Sequence, residues 1–121
     1  MVTRKTIIHK VIQLAEDLRS LDLIPVRIFL FGSYAKGTCT DRSDIDIAVW
    51  AEGFSGMRAM DIEIIAPLVK HYKPFEIHTF SEGIDSDDPY QQEILTTGID
   101  ITAEISLFQE KKISVSLAKV N

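Results

Sequence analysis

Residues 32 to 49 read GSYAKGTCTDRSDIDIAV. A glycine and a serine follow directly on an apolar run, IPVRIFLF, and two aspartates, Asp44 and Asp46, lead into a second one. Runs of β-branched and aromatic residues favour strands. Residues 26–31 and 45–50 are therefore expected as two strands, joined by a glycine- and polar-rich loop over residues 32–43. That loop is too long for a tight hairpin and of a length that is often functional. It leaves open whether the strands pair parallel or antiparallel.

On an extended chain Asp44 and Asp46 share one face, with side chains about 7 Å apart. Two carboxylates so placed repel unless a cation sits between them. Hard divalent cations such as Mg2+ prefer oxygen ligands and keep positions open for phosphates. Glu76 offers a third carboxylate. It lies between Phe75 and Ile77 in the alternating segment FEIHTF, a third expected strand opened by Pro74. A charge there is costly without a partner. Three carboxylates on neighbouring strands build a centre that clamps the oxygens of a phosphoryl or nucleotidyl transfer, and one of them can take a proton.

The start of the loop fits that chemistry. Gly32 lets backbone approach a phosphate closely, and Ser33 adds a hydroxyl donor. Lys36 and Arg42 supply positive charge for a triphosphate. Other phosphate and metal motifs fail. Gly37 is followed by Thr38 rather than lysine, there is no GxGxxG, and an EF-hand starting at Asp41 breaks at Ile45. His78 shares the face of Glu76 and reads as an ordinary strand residue. His9 and His71 read as surface groups, and Cys39 has no partner that suggests nucleophilic work.

Outward from this centre the periodicity turns helical. Ile7, Val11, Leu14, Leu18 and Leu21 form one apolar face behind a Thr3 cap. Met57, Met60, Ile64, Ile65 and Leu68 form another over residues 57–72. Asp88 and Pro89 read as N-cap and first residue of a short helix ending near Gly98. Beyond Ile99 the tail is ambiguous, since ISVSLAKV alternates like a strand while QEKK favours helix. The expectation is one α/β (α+β) domain over residues 1–121, with its core about residues 5–101. A small mixed sheet of at least three strands is flanked by helices.

The net charge of -5 argues against bulk-charge binding to nucleic acid or a membrane surface. A single cysteine suits a reducing compartment. No apolar run is long enough to span a bilayer, and MVTRKTIIHK lacks a secretory core, so a cytoplasmic location is expected.

The same stretch resembles the GS-x10-DxD signature of the nucleotidyltransferase superfamily that includes DNA polymerase beta. The starting helix, and PYQQEILTTGI after the third strand, resemble its minimal members, the MNT proteins, over about residues 5–101. The resemblance implies the nucleotidyltransferase fold, Mg2+ and ATP, with Gly32 and Ser33 on the phosphates and Asp44 and Asp46 on the metal. Glu76 stands at the third carboxylate position, where aspartate is more frequent, and Lys36 where arginine is frequent. Minimal members are similar to the antitoxin halves of HEPN–MNT pairs, which transfer AMP to a tyrosine of a HEPN ribonuclease toxin. The resemblance thus implies a type VII-like antitoxin acting on a toxin partner. Two other readings stay open: an antitoxin that neutralises by contact and keeps a relic metal site, and the core of an aminoglycoside-like, small-molecule nucleotidyltransferase.

Overall fold

The computed structural model describes residues 1–107 and 109. Helix α1 (Arg4–Ser20) starts where the Thr3 hydroxyl accepts the Thr6 N–H. It buries Ile7, Val11, Leu14 and Leu18 as its periodicity requires. Leu21 departs from expectation. It lies past the last helical residue, where its N–H caps the helix by bonding to Leu18 O, and its side chain is exposed.

Strand β1 (Ile24–Phe31) carries Pro25 at a register irregularity, a place where a missing N–H is tolerated. The expected loop is not all loop, because residues Ser33–Lys36 form a one-turn helix, α2. Strand β2 (Ile45–Glu52) follows, then α3 (Arg58–His71), β3 (Phe75–Ser81), α4 (Pro89–Thr97) and the short β4 (Ile99–Asp100). Asp88 caps α4 by accepting the Tyr90 N–H, with Pro89 in the first turn. Residues 102–107 are helical, while the strand-like ISVSLAKV lies outside the described residues.

The sheet is mixed, in the order β3-β2-β1-β4. The pairing left open by the sequence resolves as antiparallel for β1 and β2, with Phe31 opposite Asp46. Strands β2 and β3 are parallel, with Asp46 opposite Glu76 and Ala48 opposite His78. A parallel pair needs a crossover, and α3 supplies it.

Period two sorts the side chains into two layers. Ile45, Ile47, Val49 and Ala51 join the main core with α1. The alternate residues Ala48 and Trp50 join Phe29 and Ile94 in a smaller core under α4. There the Trp50 indole N–H donates to Gln91 Oε1 at 2.9 Å. Asp46 belongs to this second face and lies at its open end.

Helix α3 differs from its expected pattern. Ile65 is buried, but Met57, Met60 and Ile64 are exposed, by 62%, 53% and 43%. The other buried side chain is Asp61, which accepts the N–H groups of Ser55 and Gly56 and the Ser55 hydroxyl at 2.8–3.0 Å. This carboxylate pins the β2–α3 connection. Asp61→Ala leaves three donors without their acceptor and is expected to cost about 3 kcal/mol, measured by urea denaturation.

Tyr72 fastens α3 to α1 by donating to Asp17 Oδ2 at 2.5 Å. Burial, then the hydrogen bond to Asp17, push its phenol well above the free value of 10.0. The folded pKa exceeds the unfolded one, so this stabilisation is whole below pH 10.0 and is lost as pH rises past it. The difference in unfolding free energy between the native chain and Tyr72→Phe should therefore shrink from neutral to strongly alkaline pH. A difference that stays constant contradicts it.

Candidate active site

Three strand ends meet at one corner of the sheet: β1 finishes at Phe31 where β2 and β3 begin. Gly32 makes the turn out of β1 with φ 71° and ψ -150°, a region essentially confined to glycine. A Cβ there would run into Asp46 Oδ2, with Asp46 Cγ only 3.2 Å away. The glycine therefore leaves room for one oxygen of the carboxylate. The other oxygen, Oδ1, is 3.2 Å from His78 Nε2.

The parallel register sets Glu76 beside Asp46 and His78 one pleat further on. One ligand atom from each of Asp46, Glu76 and His78 lies within 4.8 Å of the others. Two carboxylates and an imidazole this close can hold a divalent cation. Among these groups the present positive charge is Arg58, at the start of α3, whose Nη2 is 4.0 Å from Glu76 Oε1.

The partners of His78 assign its tautomer. Arg58 Nη1 stands 3.4 Å from Nδ1 and can only donate, whereas the Asp46 carboxylate can only accept. With no cation at the site, Nδ1 is therefore the bare nitrogen and Nε2 carries the proton; ligation of a cation by Nε2 requires the other tautomer. The Tyr90 hydroxyl, from the first turn of α4, is 3.0 Å from Nδ1 and donates to it. Phe31 packs edge-on against the His78 ring at 4.8 Å and closes the apolar side. His78 itself is 8% exposed. Burial first, then Asp46, push the Tyr90 phenol upward.

The other residues singled out in the sequence fall around this cluster. Asp44 precedes β2 and is exposed, outside the 4.8 Å group. It lines a 510 Å³ groove together with Glu76, Arg58, Ile62 and Val69. Ser33 opens α2 directly after Gly32. Lys36 ends α2 with its ammonium 3.9 Å from Glu93 Oε1 of α4. Arg42 is exposed on the loop, and its backbone N–H donates to Thr40 Oγ1. The cation that meets the carboxylates is Arg58, which sequence reasoning did not single out. Tyr90 was missed as well, since nothing near it in sequence signals the site. For His78 the signal existed in its shared face with Glu76.

A nucleotidyltransferase domain model matches residues 11–96, which contain every group of this cluster. The chain belongs to the nucleotidyltransferase domain family. No curated protein matches it. A solved structure described as "Crystal structure of the toxin-antitoxin with AMP-PNP" is similar, with 28% identity and a TM-score of 0.52. The likeness covers 92% of this chain and 87% of that one. In this nucleotidyltransferase domain the four-stranded mixed sheet therefore carries its acidic corner between the turn at Gly32 and the start of α4. Among the described residues no helix is long and apolar enough to cross a membrane.

Proposed function

We propose that the chain is a Mg2+-dependent nucleotidyltransferase that moves AMP from ATP to a protein partner, a toxin of the HEPN ribonuclease type, in the manner of a type VII-like antitoxin. The observation that carries the reading is Asp46: held opposite Glu76 by the parallel register, it presents one oxygen to the Gly32 turn. The similarity to a toxin-antitoxin structure holding AMP-PNP, an ATP analogue, supports both the nucleotide and the toxin partner.

In this reading Asp44, Asp46 and Glu76 hold the divalent ion, and Gly32 and Ser33 receive the phosphates. Lys36 and Arg42 add positive charge along the triphosphate. Mg2+ bound there offsets the negative charge that gathers on the phosphates during transfer. The residues of the chain do the positioning. Asp46 is fixed by His78 on one side and by the close-set turn on the other, so its reorganisation cost is small. Arg58 balances Glu76 from α3. The exposed Met57, Met60 and Ile64, close in sequence to the groove residues Arg58 and Ile62, give a protein acceptor an apolar surface to settle on.

The test is a ribonuclease assay of the co-encoded partner in the presence of this chain, ATP and Mg2+. Silencing that disappears with Asp44→Asn plus Asp46→Asn, while the complex still forms, is the expected result. Silencing that survives in the double variant would instead mean neutralisation by contact. Transfer of AMP to an added aminoglycoside, with no protein labelled, would mean a small-molecule enzyme.

A further inference from the structure

Arg58 touches two of the three side chains that can hold a divalent ion. Its Nη2 lies 4.0 Å from Glu76 Oε1, and its Nη1 lies 3.4 Å from His78 Nδ1. The ligand atoms are drawn from the same groups. His78 Nε2 is 4.0 Å from Glu76 Oε1 and 3.2 Å from Asp46 Oδ1, and one atom from each of the three residues lies within 4.8 Å of the others.

Both contacts of the guanidinium oppose a divalent ion in this cluster. At Glu76 the two cations would share one carboxylate and repel across a few ångströms, which is felt even in a solvated setting. At His78 the conflict is sharper. Ligation through Nε2 leaves the ring hydrogen on Nδ1, which then meets the Arg58 N–H donor against donor. The Tyr90 hydroxyl, 3.0 Å from Nδ1, can turn to accept that N–H and hold the ring, as the outer partner of a ligating histidine does. His78 thus has a replacement partner at hand, and the guanidinium has to give way.

Giving way is easy. The side chains of Arg58 and Glu76 are 59% and 47% exposed, and ion pairs so exposed contribute little. Arg58 also lines the groove with Ile62, Val69 and Lys73. There its stem can lie on apolar surface while the charge stays in water.

We infer that Arg58 is a positioning residue that alternates with the divalent ion: one or the other engages Glu76 and His78, and on ion uptake the guanidinium swings into the groove. Arg58 therefore sets how tightly the chain holds its ion. It lowers that affinity while giving Glu76 and His78 a cationic partner of the chain's own.

The exchange rests on the cation site of the proposed function, and two measurements on the full chain separate them. The native chain, Arg58→Gln and Asp46→Asn are titrated with Mn2+, and free Mn2+ is followed by electron paramagnetic resonance. Arg58→Gln is expected to bind about tenfold more tightly than the native chain, the scale for removing one like charge a few ångströms from a divalent ion, and Asp46→Asn more weakly. In parallel, the heteronuclear NOE of the Arg58 Nε–H, assigned by its absence in Arg58→Gln, is recorded with and without Mg2+. It is expected to fall when Mg2+ is added, as the guanidinium leaves its partners. Mn2+ binding by Arg58→Gln that equals the native or is weaker overturns the exchange and leaves the cation site standing. Tighter binding with an NOE that Mg2+ leaves unchanged also overturns it, since charge alone then explains the gain. No Mn2+ binding by the native chain or Arg58→Gln, or binding that Asp46→Asn leaves intact, overturns the exchange and the cation site together.

Discussion

Asp46→Asn is expected to lower AMP transfer by about a hundredfold or more, the scale at which loss of one preorganised electrostatic group is felt, while the chain keeps its fold. The carboxylate is half-buried between two neighbours that use its oxygens differently. One accepts from His78 and the other faces the Gly32 turn. An asparagine satisfies one neighbour only. With its oxygen toward His78 it turns its amide toward the turn, and a cation finds a donor there instead of a ligand. Asp44→Asn is expected to be milder, because Asp44 is exposed and stands outside the close cluster. Initial rates with both variants at saturating ATP, beside their melting curves, check the order. Equal losses would mean that Asp44 folds into the cluster when substrate binds.

Gly32→Ala is expected to reduce transfer on a similar scale, for a different reason. The backbone conformation at Gly32 costs a residue with a Cβ about 1–3 kcal/mol, and the added methyl collides with the Asp46 carboxylate. The side chain with most to lose is the one that must stay in place, and a displacement of about 1 Å at a reacting centre can cost about a hundredfold. The effect should appear in transfer rate and in metal affinity together. Gly37→Ala is the useful comparison. Its φ of 76° is also strained, but nothing lies within 4 Å of the added carbon. It should lose stability without a matching loss of metal affinity.

The corner was partly legible in the sequence because its parts are close along the chain. The glycine–serine turn and the aspartates of β2 flank one loop, and alternation alone puts Asp46 on a face away from Ile45 and Ile47. What alternation does not give is which strand lies beside which. The antiparallel pairing of β1 with β2, and the parallel pairing that sets Glu76 opposite Asp46, come from the α3 crossover and the whole sheet. Tyr90 was invisible for the same reason: its place over His78 depends on how α4 packs against Trp50 and Phe29. Helix α3 misled in the opposite direction. Met57, Met60 and Ile64 read as core alongside Ile65, yet beside Ile65 the buried position went to Asp61, because the loop before the helix offers three donors that only an acceptor satisfies.

The most direct test of the account compares two labels on one substrate. The chain and its partner are incubated with Mg2+ and ATP labelled either at the α- or at the γ-phosphate. The expected result is that α-label becomes protein-bound while γ-label leaves as pyrophosphate, and that neither happens with Asp46→Asn. Protein-bound γ-label, or release of inorganic phosphate with no protein-bound α-label, would contradict it and show that this acidic corner cleaves ATP at a different bond.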